Sequence, residues 1–352
     1  MKKTLLALAV PALLMAGSAS ATTVYTAEDG STIDVYSRLG FNITDRAGMG
    51  EEGDSVGNFD ARIGLGGSQV VNDKVSVIGW AEYQVNAAEA RGDGNWSPRY
   101  VWAGIDASEA GKVTFGRVAS GIIMLSDLGD VFAASDVVLG RQLELVDNSS
   151  AQTFRQDGTI QYQNSFGAFD MSVAYILGNS ESNQDGSYNA VGRYTFDLGD
   201  AGTLAPVVAY QANSTSDTGN NANRDYTFWG AGLQYKLNEL TLAAMYNQDE
   251  IEGVYSDKST DKSYELTAVY NINDDWTARM GYRSLENSGG DEAEYKDTTF
   301  EVQYHLTARS SIYTSYVMRN GENGKAVPAS TNVMSWNDAE EDYYHLGLRY
   351  EF

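Results

Sequence analysis

The cations that stand within strand-like segments of this chain are arginines: Arg38, Arg62, Arg99, Arg155, Arg193, Arg279, Arg283 and Arg349. Arg117 lies at a segment end, where its face is ambiguous. Lysines from Lys74 to Lys325 fall instead in or beside polar turn and loop stretches. One stretch, Val118 to Phe154, gathers the acids Asp127, Asp130, Asp136, Glu144 and Asp147 against the single Arg141. A guanidinium is a rigid fork of donors that stays charged at any working pH. Carboxylates set opposite such forks across water create a transverse field that sorts solutes by size, charge and dipole. That is the chemistry of passage, not of bond making.

Reaction chemistry has few carriers here. The absence of cysteine excludes disulfide scaffolds, thiolate metal sites and a thiol nucleophile. Of the two histidines, His305 reads as a turn residue and His345 as a polar-face strand residue, not as ligands or acid–base groups. Neither a phosphate-binding glycine loop nor an EF-hand loop occurs. Asp plus Glu number 48 against 24 Lys plus Arg, a formal charge of -24. Acids this abundant make paired carboxylates uninformative about an active site, and the charge argues against nucleic acid as a partner. No enzyme, cofactor or metal is expected.

Residues 1–21 carry Lys2-Lys3, an apolar run from Leu5 to Ala16 and the small residues Gly17 to Ala21, the order of a cleaved secretory signal. The apolar run is too short to span about 30 Å of hydrocarbon. Residues 22–352 are then one exported unit, and a cysteine-free exported chain suits an oxidising bacterial envelope. Beyond the signal no run approaches a transmembrane helix. A membrane β-barrel escapes that test, because its strands are about ten residues long and alternate apolar with polar.

That alternation is present. Ile33, Val35, Leu39 and Phe41 share one parity while Asp34, Tyr36, Arg38 and Asn42 share the other, and the pattern recurs through Leu240–Tyr246, Tyr264–Tyr270, Trp276–Tyr282, Phe300–Tyr304 and Tyr344–Phe352. Short polar turns, such as Val71–Lys74, Lys236–Glu239 and Asn271–Asp275, alternate with longer hydrophilic stretches, such as Thr44–Phe59, Gly178–Gly186, Asp249–Lys262 and Leu285–Tyr295. Seven short and eight long connectors predict sixteen strands, all-β, in an up-and-down antiparallel transmembrane barrel. Ser76–Gln84 fits poorly, since Ile78 and Trp80 share the parity of Glu82 and Gln84. In lipid a closed barrel satisfies every backbone polar group and leaves no edge. Proline is accordingly scarce: Pro98 and Pro328 are expected in loops and Pro206 near a strand start. The strand arginines fall on the polar face, which predicts a charge-lined lumen. The Val118–Phe154 loop, with Ile122, Ile123, Leu125, Val131 and Phe132, is too apolar for disorder and is expected to pack inside the barrel.

Ile33-Asp34-Val35-Tyr36-Ser37-Arg38-Leu39-Gly40-Phe41, Ala61-Arg62-Ile63-Gly64-Leu65, Val113-Thr114-Phe115-Gly116-Arg117, the long loop that follows and the ending Gly347-Leu348-Arg349-Tyr350-Glu351-Phe352 resemble the general trimeric porins of Gram-negative bacteria. The resemblance runs the length of the chain. It implies a sixteen-stranded barrel in the outer membrane, a homotrimer among lipid and lipopolysaccharide, and a third loop folded inward. It implies a basic constriction wall at Arg38, Arg62, Arg99, Arg155 and Arg117, and acids opposite at Asp127, Asp130 and Asp136. Glu82, Arg193, Arg279 and Arg283 are expected elsewhere in the lumen. Phe352 would be read by the outer-membrane assembly machinery, and the second loop, Asn86–Pro98, would latch subunits. In the third loop the family's Pro-Glu-Phe is replaced by Gly129-Asp130-Val131-Phe132. The function implied is passive diffusion of small hydrophilic solutes and ions, with a mild cation preference from the loop's acids. A sugar- or anion-specific channel, an adhesive or structural barrel, and a secreted soluble β-protein are the alternatives.

Overall fold

The computed structural model describes residues 21–46, 54–85, 96–134, 139–179, 184–216, 224–254, 258–325 and 339–352. The signal segment up to Ser20, most of the second loop, Asp136 and Pro328 therefore lie outside the described residues. The first strands are β1 (Thr22–Thr26), β2 (Thr32–Thr44), β3 (Val56–Asn72), β4 (Val75–Val85), β5 (Trp96–Asp106) and β6 (Lys112–Arg117). After the long loop come β7 (Thr159–Phe166), β8 (Phe169–Asn179), β9 (Gln184–Tyr194), β10 (Phe196–Asp197), β11 (Thr203–Thr215) and β12 (Asp225–Leu237). The remainder are β13 (Leu240–Glu252), β14 (Ser259–Asn271), β15 (Trp276–Ser288), β16 (Glu294–Thr307), β17 (Ser310–Arg319) and β18 (Tyr343–Glu351).

Sixteen of these strands close a ring. β2 to β9 pair in sequence, β9 bonds β11, β11 to β18 continue, and β18 returns to β2, with antiparallel pairing throughout. The two-residue β10 merely extends the edge of β11. At the seam, β18 covers β2 from Thr44 to Arg38, Phe352 exchanges two backbone bonds with Ser37 (2.8 and 2.9 Å), and β1 takes over at Val35. Both ends of the folded chain thus complete one strand position, and the ladder has no open edge there.

Burial is inverted relative to a water-soluble protein. Leu65, Phe115, Leu266, Met280, Phe300 and Leu348 are exposed on the outer face, while Ser172, Asn189, Gln211, Glu265 and Thr299 are buried inside. An outward apolar band around a polar interior is what hydrocarbon outside and water inside require. Tilted aromatic pairs mark its two rims: Tyr194–Phe196, Trp276–Tyr304 and Tyr350–Phe352 near the short turns, and Tyr188–Tyr210, Trp229–Tyr246 and Tyr264–Tyr282 toward the long loops. Their polar tips suit the membrane interface.

Several boundaries differ from the sequence expectation. β8 and β9 pair out to Asn179 with Gln184, β13 and β14 to Ile251 with Ser259, and β15 and β16 to Glu286 with Glu294, so three long loops shrink. Beyond the apolar band both strand faces are wet, and the ladder continues without the alternation that would reveal it. Pro98 belongs to β5, where the register slips between Glu82 and Tyr83 and a missing N–H is tolerated. The poor alternation of β4 has a cause too. Ile78 and Trp80 face the interior, and Trp80 lies against Gly64 and Gly66 of β3, where an added Cβ would come 2.5 Å from its ring.

Candidate functional site

The chain turns into the barrel after β6. Ser120 N–H donates to Phe154 O (2.8 Å), which closes the base of the loop, and Gly121 N–H reaches Gln161 Oε1 of β7 (3.1 Å). The short helix α1 (Ile123–Ser126) follows. Ile122, Leu125, Leu128, Leu139 and Leu143 form one core with Val191, Val207, Tyr226, Phe228 and Met245 of the inner wall. The wall is cut to receive them: a side chain at Gly230 or Gly232 would strike Leu125 or Leu128, and one at Gly281 would come 2.7 Å from Phe132. Polar ties fix the backbone. Thr267 Oγ1 donates to Leu128 O (2.6 Å), and Ala133 N–H donates to the Glu301 carboxylate (3.0 Å). Arg141 is fully engaged, forking onto Asp261 of β14 (2.6 and 3.0 Å) and onto Asp291 beyond β15 (2.8 and 2.9 Å).

The loop fills the β9–β13 side and leaves a cavity of about 790 Å³ against the opposite wall. Arg38, Arg62, Arg99 and Arg155 line it, together with Arg46, Arg279 and Arg349; Asp127 and Asp130 line it from the loop. Arg38 and Arg62 stand directly opposite one another on β2 and β3, a repulsive pairing. Asp60 lies between them (3.6 and 3.4 Å), and Glu351 takes Arg38 Nε (2.7 Å). Arg99 pairs with the buried Glu82 (2.8 Å), and Arg279 with Glu301 (2.9 Å). Among the described residues Arg155 and Arg349 make no ion pair: Arg155 stands 5.2 Å over the Tyr100 ring, and Arg349 donates to Ala133 O. Burial pushes the Asp127 carboxyl up to about 7, with the neighbouring Asp130 charge adding and Arg193 opposing.

Residues 5–324 match the family model described as Gram-negative porin. The chain belongs to the Gram-negative porins. It is 26% identical to the outer membrane porin C of Enterobacter cloacae over the full length of both chains. Its fold is similar to the Salmonella typhi OmpF in complex with daunomycin, with a TM-score of 0.73, 18% identity, and coverage of 94% of this chain and 100% of the other. The trimer form of OmpT from Vibrio cholerae gives a TM-score of 0.69 at 15% identity, covering 92% and 99%.

Within this porin, six of the residues expected at the constriction, Arg38, Arg62, Arg99, Arg155, Asp127 and Asp130, face one cavity, and Glu82 and Arg279 join them. Arg117 does not line it: its guanidinium donates to Arg99 O (3.1 Å), Ser149 O and Asp157 (2.9 Å), tying the loop base to the wall. Its place at the end of β6, where the chain leaves the ladder, explains the ambiguity of its face. Arg193 is held by Asp170 (2.8 Å) and does not itself line the cavity, though its charge acts on Asp127. Arg283 points inward but is buried against Asp297 (2.9 Å) rather than open to the lumen. Glu144 and Asp147 of the loop also do not line the cavity. Asp60, Arg46 and the clamp at Arg141 were not anticipated. Asp60 has the parity of Arg62, a usable signal, whereas the partners of Arg141 lie more than a hundred residues away and leave no local trace. Three acidic or histidine side chains placed to hold a metal ion do not occur among the described residues.

Proposed function

We propose that this outer-membrane porin is an open channel for passive diffusion of small hydrophilic solutes and ions, working as a homotrimer after removal of residues 1–21. The observation that carries the reading is the loop laid inside the barrel, with Asp127 and Asp130 facing the same cavity as the wall arginines. Charges facing each other across a narrow aqueous gap act with little screening and grade solutes by charge and dipole. The Vibrio cholerae neighbour's trimer form supports the trimer. Lipopolysaccharide contact and recognition of Phe352 during assembly belong to the same proposal; the Phe352 ring stands at the membrane rim beside Tyr350.

A mild cation preference needs a different source from the loop's raw acid count. Seven arginines line the cavity, and most are answered by Asp60, Glu82, Glu301 and Glu351, so the constriction is close to balance. The bias toward cations then comes from the loop's side of the cavity, from Asp127 when ionised. Planar-bilayer recording of the purified protein should give discrete ohmic steps. A purified, folded barrel that inserts without conducting would remove the open-channel reading.

A further inference from the structure

We propose a second site in the lumen, near the short-turn end: an aromatic shelf that binds a neutral saccharide in passage. It rests on the channel reading above and specifies a solute class for it. A lumen wall facing water is ordinarily polar, yet Tyr36, Trp80, Tyr100 and Trp102 pack together on the inner face of β2, β4 and β5. Trp80 and Trp102 stand directly opposite one another across the β4–β5 ladder. Trp80 is buried flat against the glycines of β3, and Trp102 covers it while keeping part of its own ring open.

The open side of this pair, with Ile78, lines a cavity of about 630 Å³ separate from the constriction. That volume lies in the range of about 300–1,000 Å³ typical of small-molecule sites. The polar groups around it are the carboxylates of Asp34, Asp106 and Glu109, the single ammonium of Lys112, and amides and hydroxyls such as Gln163 and Ser76. Ser76 and Gln163 make no side-chain hydrogen bond among the described residues, so both are available to a ligand. An aromatic face carries partial negative charge, and the ring of a hexopyranose offers it a face of C–H bonds while its hydroxyls point to the rim. Three carboxylates against the one ammonium of Lys112 leave a net negative lining that disfavours an anionic solute, and the hydroxyl and amide partners give a purely apolar one nothing to bond. A neutral polyol ring fits both halves of the wall.

The test uses the full-length protein in planar bilayers, with maltotriose added on either side and a polyethylene glycol of matched size as the non-binding control. The expected result is a saturable reduction of current by maltotriose alone. Trp102→Ala should raise the half-saturating concentration about tenfold or more, as loss of a stacking partner does, while Trp102→Phe keeps it within a few-fold. Tryptophan fluorescence of the same detergent-purified samples, titrated with maltotriose, reads the shelf without requiring conduction. A conducting channel that treats maltotriose and polyethylene glycol alike overturns the shelf and leaves the diffusion reading intact. Equal half-saturation in wild type and Trp102→Ala also overturns it.

Discussion

Asp127 sits on the loop, facing the cavity, with its carboxyl pushed up to about 7 by burial and by Asp130. Below that pH it holds a proton and contributes no charge; above it the constriction gains one negative charge. Cation preference should therefore rise between roughly pH 6 and 8, the span over which a group titrating near 7 changes state. Reversal potentials in a salt gradient at several pH values check this, and Asp127→Asn should flatten the dependence. A slope that survives in Asp127→Asn would assign it to another group. At this scale the sequence was informative about side chains on regular strands, where parity alone puts Arg38, Arg62 and Arg99 inside. It was weaker at Arg117, whose strand ends at that residue, and at Arg283, whose inward direction is right but whose burial depends on Asp297 of the next strand.

At the scale of elements, the third loop is held by two devices of different kind. One is the forked clamp of Arg141 on Asp261 and Asp291, both largely buried. Breaking such a pair from one side leaves unpaired charge in the interior and costs about 3–5 kcal/mol. Arg141→Gln should keep a heat-modifiable barrel on a gel, because the backbone ladder is untouched, but with a lower transition temperature and noisier single-channel current. The other device is the glycine bed of β12. A leucine at Gly232 would displace Leu128 and with it the adjacent Asp127 and Asp130, so Gly232→Leu should alter conductance. Leu233→Ala, on the lipid-facing side of the same strand, should not. Apolar composition was enough to predict that the loop packs inside. Which wall it packs against was hidden, because the receiving glycines look like any other small strand residues until the loop is laid on them.

For the whole molecule, a net charge of -24 describes neither the channel nor a partner. What matters is its placement: arginines on a wall built from β2, β3, β5, β15 and β18, most of them paired with Asp60, Glu82, Glu301 or Glu351 on that same wall, and Asp127 and Asp130 on a loop pinned against the far side. Sixteen strands were legible because lipid outside and water inside force a two-residue period wherever the membrane is crossed. Strand ends beyond the apolar band were not, since water on both faces erases the period while pairing goes on. The closed ring keeps the opposing walls in fixed register, and so fixes which charges meet across the gap. Reversal potential in planar bilayers, wild type against Asp127→Asn with Asp130→Asn at a pH above 7, tests this most directly. The account predicts a clear shift toward anions in the double variant with the barrel intact; an unchanged reversal potential in an intact, conducting barrel would contradict it.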